Sequence, residues 1–177
     1  MKKLSLVAAG LLALTGSVQA APVGSVQAAP VLMSPQWAAE ACTAWNQNPT
    51  LVNNLGKKWV KNNGGKGYKA LIMYRTQCGK NTAVELKIAD QNGHAECVYG
   101  GKQVDMNPNF SVDYEMHATT NDWGEMGRGD YGPMHAMMFG DLKFSGPKFE
   151  AMTVMGPFAQ FLLLVGKVPG DTSACPQ

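Results

Sequence analysis

Between Asp122 and Gly146 the large apolar residues Trp123, Met126, Met134, Met137, Met138 and Phe139 recur three and four positions apart between glycines. Side chains at that spacing share one helix face, so the stretch predicts two short helical segments, each with an apolar stripe. Leu142 and Phe144 follow, interleaved with Lys143 and Ser145 in the two-residue period of a strand, with Gly140 and Gly146 as turns at its ends. The order is helix, helix, strand, with thioethers and rings converging on one side. No charged or nucleophilic residue repeats at a spacing that suggests bond-making chemistry. The stretch reads as a surface for holding something apolar.

The same patterns organise the chain on either side. Ser34-Pro35 is a helix cap with proline at the first helical position, and Trp37, Ala41 and Trp45 then share a face. Thr50 opens a second helix in which Leu51, Leu55 and Trp59 recur every fourth residue until Asn62-Asn63-Gly64-Gly65 stops it. A meander follows. Tyr68 to Thr76 is one strand; Val84 to Ile88 alternates cleanly as the next, with Leu86 and Ile88 on its apolar face. Asp90-Gln91-Asn92-Gly93 is a hairpin turn leading into His94 to Tyr99. Phe110, Val112, Tyr114 and Met116 alternate with Ser111, Asp113, Glu115 and His117 as a fourth strand. Lys148 to Val165 is an apolar helix that Gly156-Pro157 should kink or break. With the strand at Leu142 this gives an α+β fold: a five-stranded, mostly antiparallel sheet covered on one face by helices.

The N-terminus changes the picture of where the chain works. Lys2 and Lys3, the apolar run Leu4 to Leu14 and the small residues Val18-Gln19-Ala20 form a signal-peptide pattern over residues 1–20. Gly16 to Val23 is repeated word for word as Gly24 to Val31, so residues 21–33 read as a disordered leader. The folded domain is expected over 34–170, with 171–177 as a tail. Export to the periplasm or beyond makes Cys42, Cys78, Cys97 and Cys175 candidates for two disulfides, with three pairings open. No C-x-x-C pair supports a zinc site.

Composition excludes more than it selects. The formal net charge is +2, and removal of Lys2 and Lys3 leaves the mature chain near neutrality. No basic cluster exceeds Lys57-Lys58-Lys61, which argues against a nucleic-acid partner and leaves only a transient contact with anionic headgroups open. Gly64-Gly65-Lys66-Gly67 lacks the preceding strand and following Ser/Thr of a phosphate loop. His94, His117 and His135 are candidate bases for a lipid hydrolase or transferase, but no G-x-S-x-G elbow accompanies them. Arg128-Gly129-Asp130 is an adhesion tripeptide that chance supplies readily. Met134-His135-x-Met137-Met138 offers soft ligands to Cu(I), which makes a periplasmic copper-binding protein the alternative reading. Six of the eleven methionines lie between Met126 and Met155, and flexible thioethers also suit a wall that adapts to irregular ligands.

The string Asp122 to Gly129 (D-W-x-x-M-x-x-G) and the string Met137 to Gly146 (M-M-F-G-D-L-K-F-S-G), between a helix pair with its meander and a final apolar helix, resemble the sterol carrier protein type two family. Ala136, Gly140, Leu142 and Gly146 match the family's Ala-x-x-x-Gly-x-Leu-x-x-x-Gly; Pro147 departs from its acidic residue or Asn. The resemblance covers roughly Trp37 to Val165. It implies a hydrophobic tunnel that binds a sterol, fatty acid or other acyl lipid without catalysis and without a cofactor, in a monomer. Residues expected along it are Trp123, Met126, Met134, Met137, Met138 and Phe139, then Phe144, Met152, Met155, Phe158, Phe161 and Leu162. Leu86, Ile88, Val112 and Tyr114 would form the sheet floor. An accessory subunit presenting lipid to an enzyme is a further alternative.

Overall fold

The computed structural model describes residues 28–177; the signal-like segment 1–20 and most of the duplicated leader lie outside them. Ser34 caps α1 (Pro35–Asn46), its hydroxyl accepting from the Trp37 amide, and Asn48 caps α2 (Pro49–Leu55) through Thr50 and Leu51. Both helices carry proline in the first turn, where no amide is missed. The second is shorter than its four-residue periodicity predicts: it stops before Gly56, and Trp59 sits in the turns that follow. The strands are β1 (Tyr68–Arg75), β2 (Val84–Gln91), β3 (His94–Lys102) and β4 (Tyr114–Ala118). Then come α3 (Thr120–Arg128), α4 (Pro133–Phe139), β5 (Lys143–Ser145), α5 (Lys148–Thr153) and α6 (Met155–Lys167). The break between the last two falls at Val154, so that Pro157 lies in the first turn of α6.

The sheet is open, in the order β3-β2-β1-β4-β5. All pairings are antiparallel except β1 with β4, which run parallel with Leu71 opposite Tyr114. The expected meander therefore holds only as far as β3. Two buried carboxylates explain the crossover. Glu85 accepts from the amides of Val104 and Asp105 at 2.8 and 2.9 Å, turning the chain away from the β3 edge. Asp113 accepts from Ala70 and Asn109 at 2.9 and 2.8 Å, docking the start of β4 beside β1. The segment around Asn109 is turned, so Phe110 and Val112 precede the strand they were expected to open. Asp113 and Glu115, on the alternation expected to face water, are buried.

Leu71, Met73, Val84, Leu86, Ile88, Tyr114 and Met116 form the helix-covered face and join Trp37, Trp45, Trp123 and Phe161 in the main core. The opposite face carries only the small cluster Ile72, Tyr74 and Ala83. Folded structure begins earlier than Ser34: Val31 bridges Asp171, and Leu32 and Met33 are buried, because apolar side chains at the end of the repeat find the core within reach. Helices α3 and α6 cross at Gly127 and Gly166. A Cβ on Gly166 would stand 2.1 Å from the Gly127 carbonyl oxygen, so the contact admits no larger residue.

The disulfides are Cys42–Cys97, joining α1 to β3, and Cys78–Cys175, tying the tail to the turn after β1. They close loops of 55 and 97 residues. In the chain-entropy picture such loops restrict the unfolded chain by roughly 4 and 5 kcal/mol. Replacing Cys78 and Cys175 together by Ser is expected to cost about 2–5 kcal/mol. The shift of the urea midpoint at unchanged slope measures it.

Candidate functional site

The site is built from aromatic residues on five elements. Trp45 ends α1 and Trp59 follows α2; Tyr114 opens β4, Phe144 centres β5, and Phe158 and Phe161 stand on successive turns of α6. Their centroids form a closed circuit. Trp45 to Trp59 is 6.4 Å, Trp59 to Tyr114 5.9 Å, Tyr114 to Phe144 5.5 Å and Phe144 to Phe158 5.8 Å. Phe158 to Phe161 is 6.2 Å and Phe161 to Trp45 6.1 Å. Each pair lies in the range where tilted and offset rings attract. The circuit surrounds a cavity of about 40 Å³, completed by Leu55, Leu71, Met116, Ala151, Val154 and Pro157. The space is smaller than the ~150 Å³ that admits a benzene ring.

The polar atoms of the wall are turned outward into a buried network. Trp59 Nε1 donates to the Tyr114 hydroxyl at 3.0 Å, and that hydroxyl donates to Glu150 Oε2 on α5. Lys69 Nζ donates to the same carboxylate oxygen at 2.8 Å and to the Asn62 carbonyl at 2.7 Å. Asn62 Nδ2 in turn donates to Glu150 Oε1 at 2.7 Å. The Lys69 side chain has no exposed surface, while that of Glu150 keeps 17 %. Burial holds the Lys69 ammonium below the usual lysine pKa, with Glu150 pulling it back. Burial, reinforced by Glu150, raises the Tyr114 phenol, which therefore stays protonated and a donor. Glu150 sits on a helix of six residues with no side-chain cap, so this network is what fastens α5 over the cavity.

A second concavity opens to solvent on the far side of Phe144. It is a groove of about 630 Å³ lined by Met134, Met137, Met138, Leu142, Phe149 and Met152, with Gly140, Lys143, Ser145 and Lys148 along its floor and rim. Phe144 lines both spaces, and α5 divides them, giving Ala151 to the cavity, with Val154 just after it, and Lys148, Phe149 and Met152 to the groove.

Of the residues expected around a ligand, the structure brings Tyr114, Phe144, Phe158 and Phe161 to the cavity. Met134, Met137, Met138, Phe144 and Met152 line the groove. Trp123, Met126, Leu162, Leu86, Ile88 and Val112 are buried but border neither space. Trp123 instead donates to the Tyr74 carbonyl at 3.1 Å. Met155 is half-buried against the core, and Phe139 is exposed beside the groove. The helices α3 and α4 therefore do not share one apolar side, because the left-handed Gly129 turns the chain between them. Trp45, Trp59 and Lys69 escaped sequence reasoning. The tryptophans read simply as helix-face core, and Lys69 carries no pattern of its own within the strand Tyr68 to Thr76. The histidines lie apart: His94 meets Asn53, His117 stacks on Tyr74 and bonds Thr76, and His135 stacks between Tyr131 and Phe139. His135 does not line the groove that collects Met134, Met137 and Met138.

Residues 76–159 match the model described as the SCP-2 sterol transfer family. Three solved structures are similar. A conserved hypothetical protein from Thermus thermophilus is 20% identical, with a TM-score of 0.48 over 83% of this chain and 96% of that one. A crystal structure of sterol carrier protein 2 is 17% identical, with a TM-score of 0.47 over 78% and 99%. The apo form of sterol carrier protein 2 from Yarrowia lipolytica is 13% identical, with a TM-score of 0.39 over 70% and 88%. No curated protein matches the chain.

Glu150→Gln leaves the buried Lys69 ammonium without its counter-charge. It is expected to destabilise the fold by roughly 3 kcal/mol, the lower end for a broken buried pair, since Glu150 keeps some contact with water. Amide exchange across 148–153 should accelerate more than in α6. Urea titration and exchange mass spectrometry read the two effects.

Proposed function

We propose that the chain, whose residues 76–159 match the model of the SCP-2 sterol transfer family, binds and carries an apolar lipid without altering it. The ligand is a sterol, a fatty acid or another acyl lipid. One observation carries the reading: an apolar, ring-walled cavity with Phe144 and α5 between it and a groove lined by methionine and phenylalanine. The groove's volume falls within the ~300–1,000 Å³ of small-molecule sites. Loading the inner cavity requires Phe144 and α5 to move outward, since about 40 Å³ does not hold an alkyl chain.

The energetics suit a carrier. Burying ~15 methylenes contributes on the order of 10 kcal/mol gross at about 0.8 kcal/mol each. Lost translational and conformational freedom offsets about half, leaving roughly micromolar or tighter binding. The site of action is the periplasm or the cell exterior. The signal pattern of residues 1–20 and the use of all four cysteines in disulfides support that placement.

The test is uptake of a fluorescent acyl probe by folded variants. Phe144→Asp puts a carboxylate in the wall common to both spaces, and Met137→Arg puts a guanidinium in the groove. Burying an unpaired charge is unfavourable by several kcal/mol, so each is expected to weaken uptake at least about tenfold. Wild-type uptake by a variant with native circular dichroism would overturn the reading. Native mass spectrometry of protein from its own source, followed by organic extraction, identifies the ligand.

A further inference from the structure

Nine large apolar side chains are exposed among the described residues, and five of them fall within residues 134–152. Within that span Met138, Phe139 and Phe149 stand out at 73, 71 and 83 % exposure; outside it Met106 reaches 73 %. Met134 and Met152 accompany them at 45 and 41 %. All five stand on α4 and α5, the two short helices flanking β5; Met134, Met138, Phe149 and Met152 share one groove, and Phe139, next to Met138 in sequence, packs against His135. A patch of this kind in a chain with an otherwise complete core marks a contact surface.

Cations outnumber anions around it. Among the described residues, Lys143 and Lys148 are the only charged ones lining the groove between the helices. Neither pairs with a carboxylate among the described residues. Of the neighbouring acids, Glu150 points inward to Lys69, while Asp141 stands 3.8 Å from His135 Nε2 and leaves two lysines against one carboxylate on this face. Apolar tips under uncompensated ammonium groups on flexible stems match the order of an anionic lipid surface, with acyl chains beneath and phosphate charge above.

We infer that the α4–β5–α5 face is a docking surface for an anionic bilayer. Met138, Phe139 and Phe149 insert at the boundary of the acyl region, and Lys143 and Lys148 meet the headgroup phosphates. Docking in this pose lays the groove, and Phe144 behind it, against the lipid. The inference stands on exposure and charge and does not depend on what the cavity binds.

The experiment uses vesicles of phosphatidylcholine alone and of phosphatidylcholine with phosphatidylglycerol. The protein should sediment with the mixed vesicles more than with the neutral ones, and added salt should release it. Amide exchange in residues 134–152 should slow on the mixed vesicles. Each lysine at such a surface contributes about fivefold, so K143E with K148E should lower binding by at least roughly thirtyfold. Phe139→Asp should weaken docking on both compositions, yet take up an acyl probe added from solvent as wild type does, because Phe139 lines neither the cavity nor the groove. Failure of wild-type probe uptake with docking intact would strike at lipid carriage and leave this inference standing. Absence of vesicle binding, unchanged binding by both variants, or bound protein whose 134–152 amides exchange freely would each overturn it. The last outcome would point to a different surface as the membrane contact, such as the exposed Val104, Met106 and Phe110.

Discussion

A buried ammonium and the carboxylate it meets set the conditions for everything around the cavity. Lys69 lies on the face of β1 that the helices cover, in the alternation that also points Leu71 and Met73 into the core. An ammonium there is tolerable only with a counter-charge and full hydrogen bonding. Glu150 supplies the charge, the Asn62 carbonyl a further acceptor, and the Trp59 and Tyr114 rings lie 5.0 and 5.3 Å from the nitrogen. Two of the six cavity rings are therefore held in place by the same network that fastens α5. Such a pair adds little net stability, but it specifies position: α5 has one place where its carboxylate is satisfied, and in that place it closes the cavity.

The fold was legible wherever periodicity and turn chemistry agreed. Ser34-Pro35, the Asn92-Gly93 hairpin and the apolar face Val84, Leu86 and Ile88 of β2 each announce themselves, and each is found where expected. The parallel pairing of β1 with β4 was not legible. It depends on Glu85 and Asp113 capturing backbone amides far away in sequence, and alternation alone assigns such carboxylates to water. The same limit applies to the site. Tyr114, Phe144, Phe158 and Phe161 could be chosen because they repeat on strand or helix faces near the glycine-bracketed strings. Trp45 and Trp59 could not be told from ordinary core, since a ring that walls a cavity and a ring that fills an interior carry the same pattern.

Volume and closure belong together. The inner cavity is too small for a lipid tail, yet the groove outside Phe144 is large enough for one and carries the methionines. Methionine's unbranched, polarizable side chain repacks at little cost, whereas the six rings inside meet in fixed geometries. Adaptable wall outside and defined wall inside suit a ligand that is first gathered loosely and then enclosed. The boundary between them is one phenylalanine on a three-residue strand and one six-residue helix. Elements that short owe little to their own hydrogen bonds, so their position follows what they pack against.

That economy explains why the apolar face at α4 and α5 is exposed at all. Helices of seven and six residues cannot bury a full stripe on both sides: Pro133, Ala136 and Ala151 go inward, and the larger side chains are left outside. In a chain with no other use for them, polar substitutions at Met138, Phe139 and Phe149 would improve solubility at no loss of core. The lysines along the same groove, unpaired among the described residues, set cations beside that apolar face, an order that the boundary between acyl chains and phosphate favours.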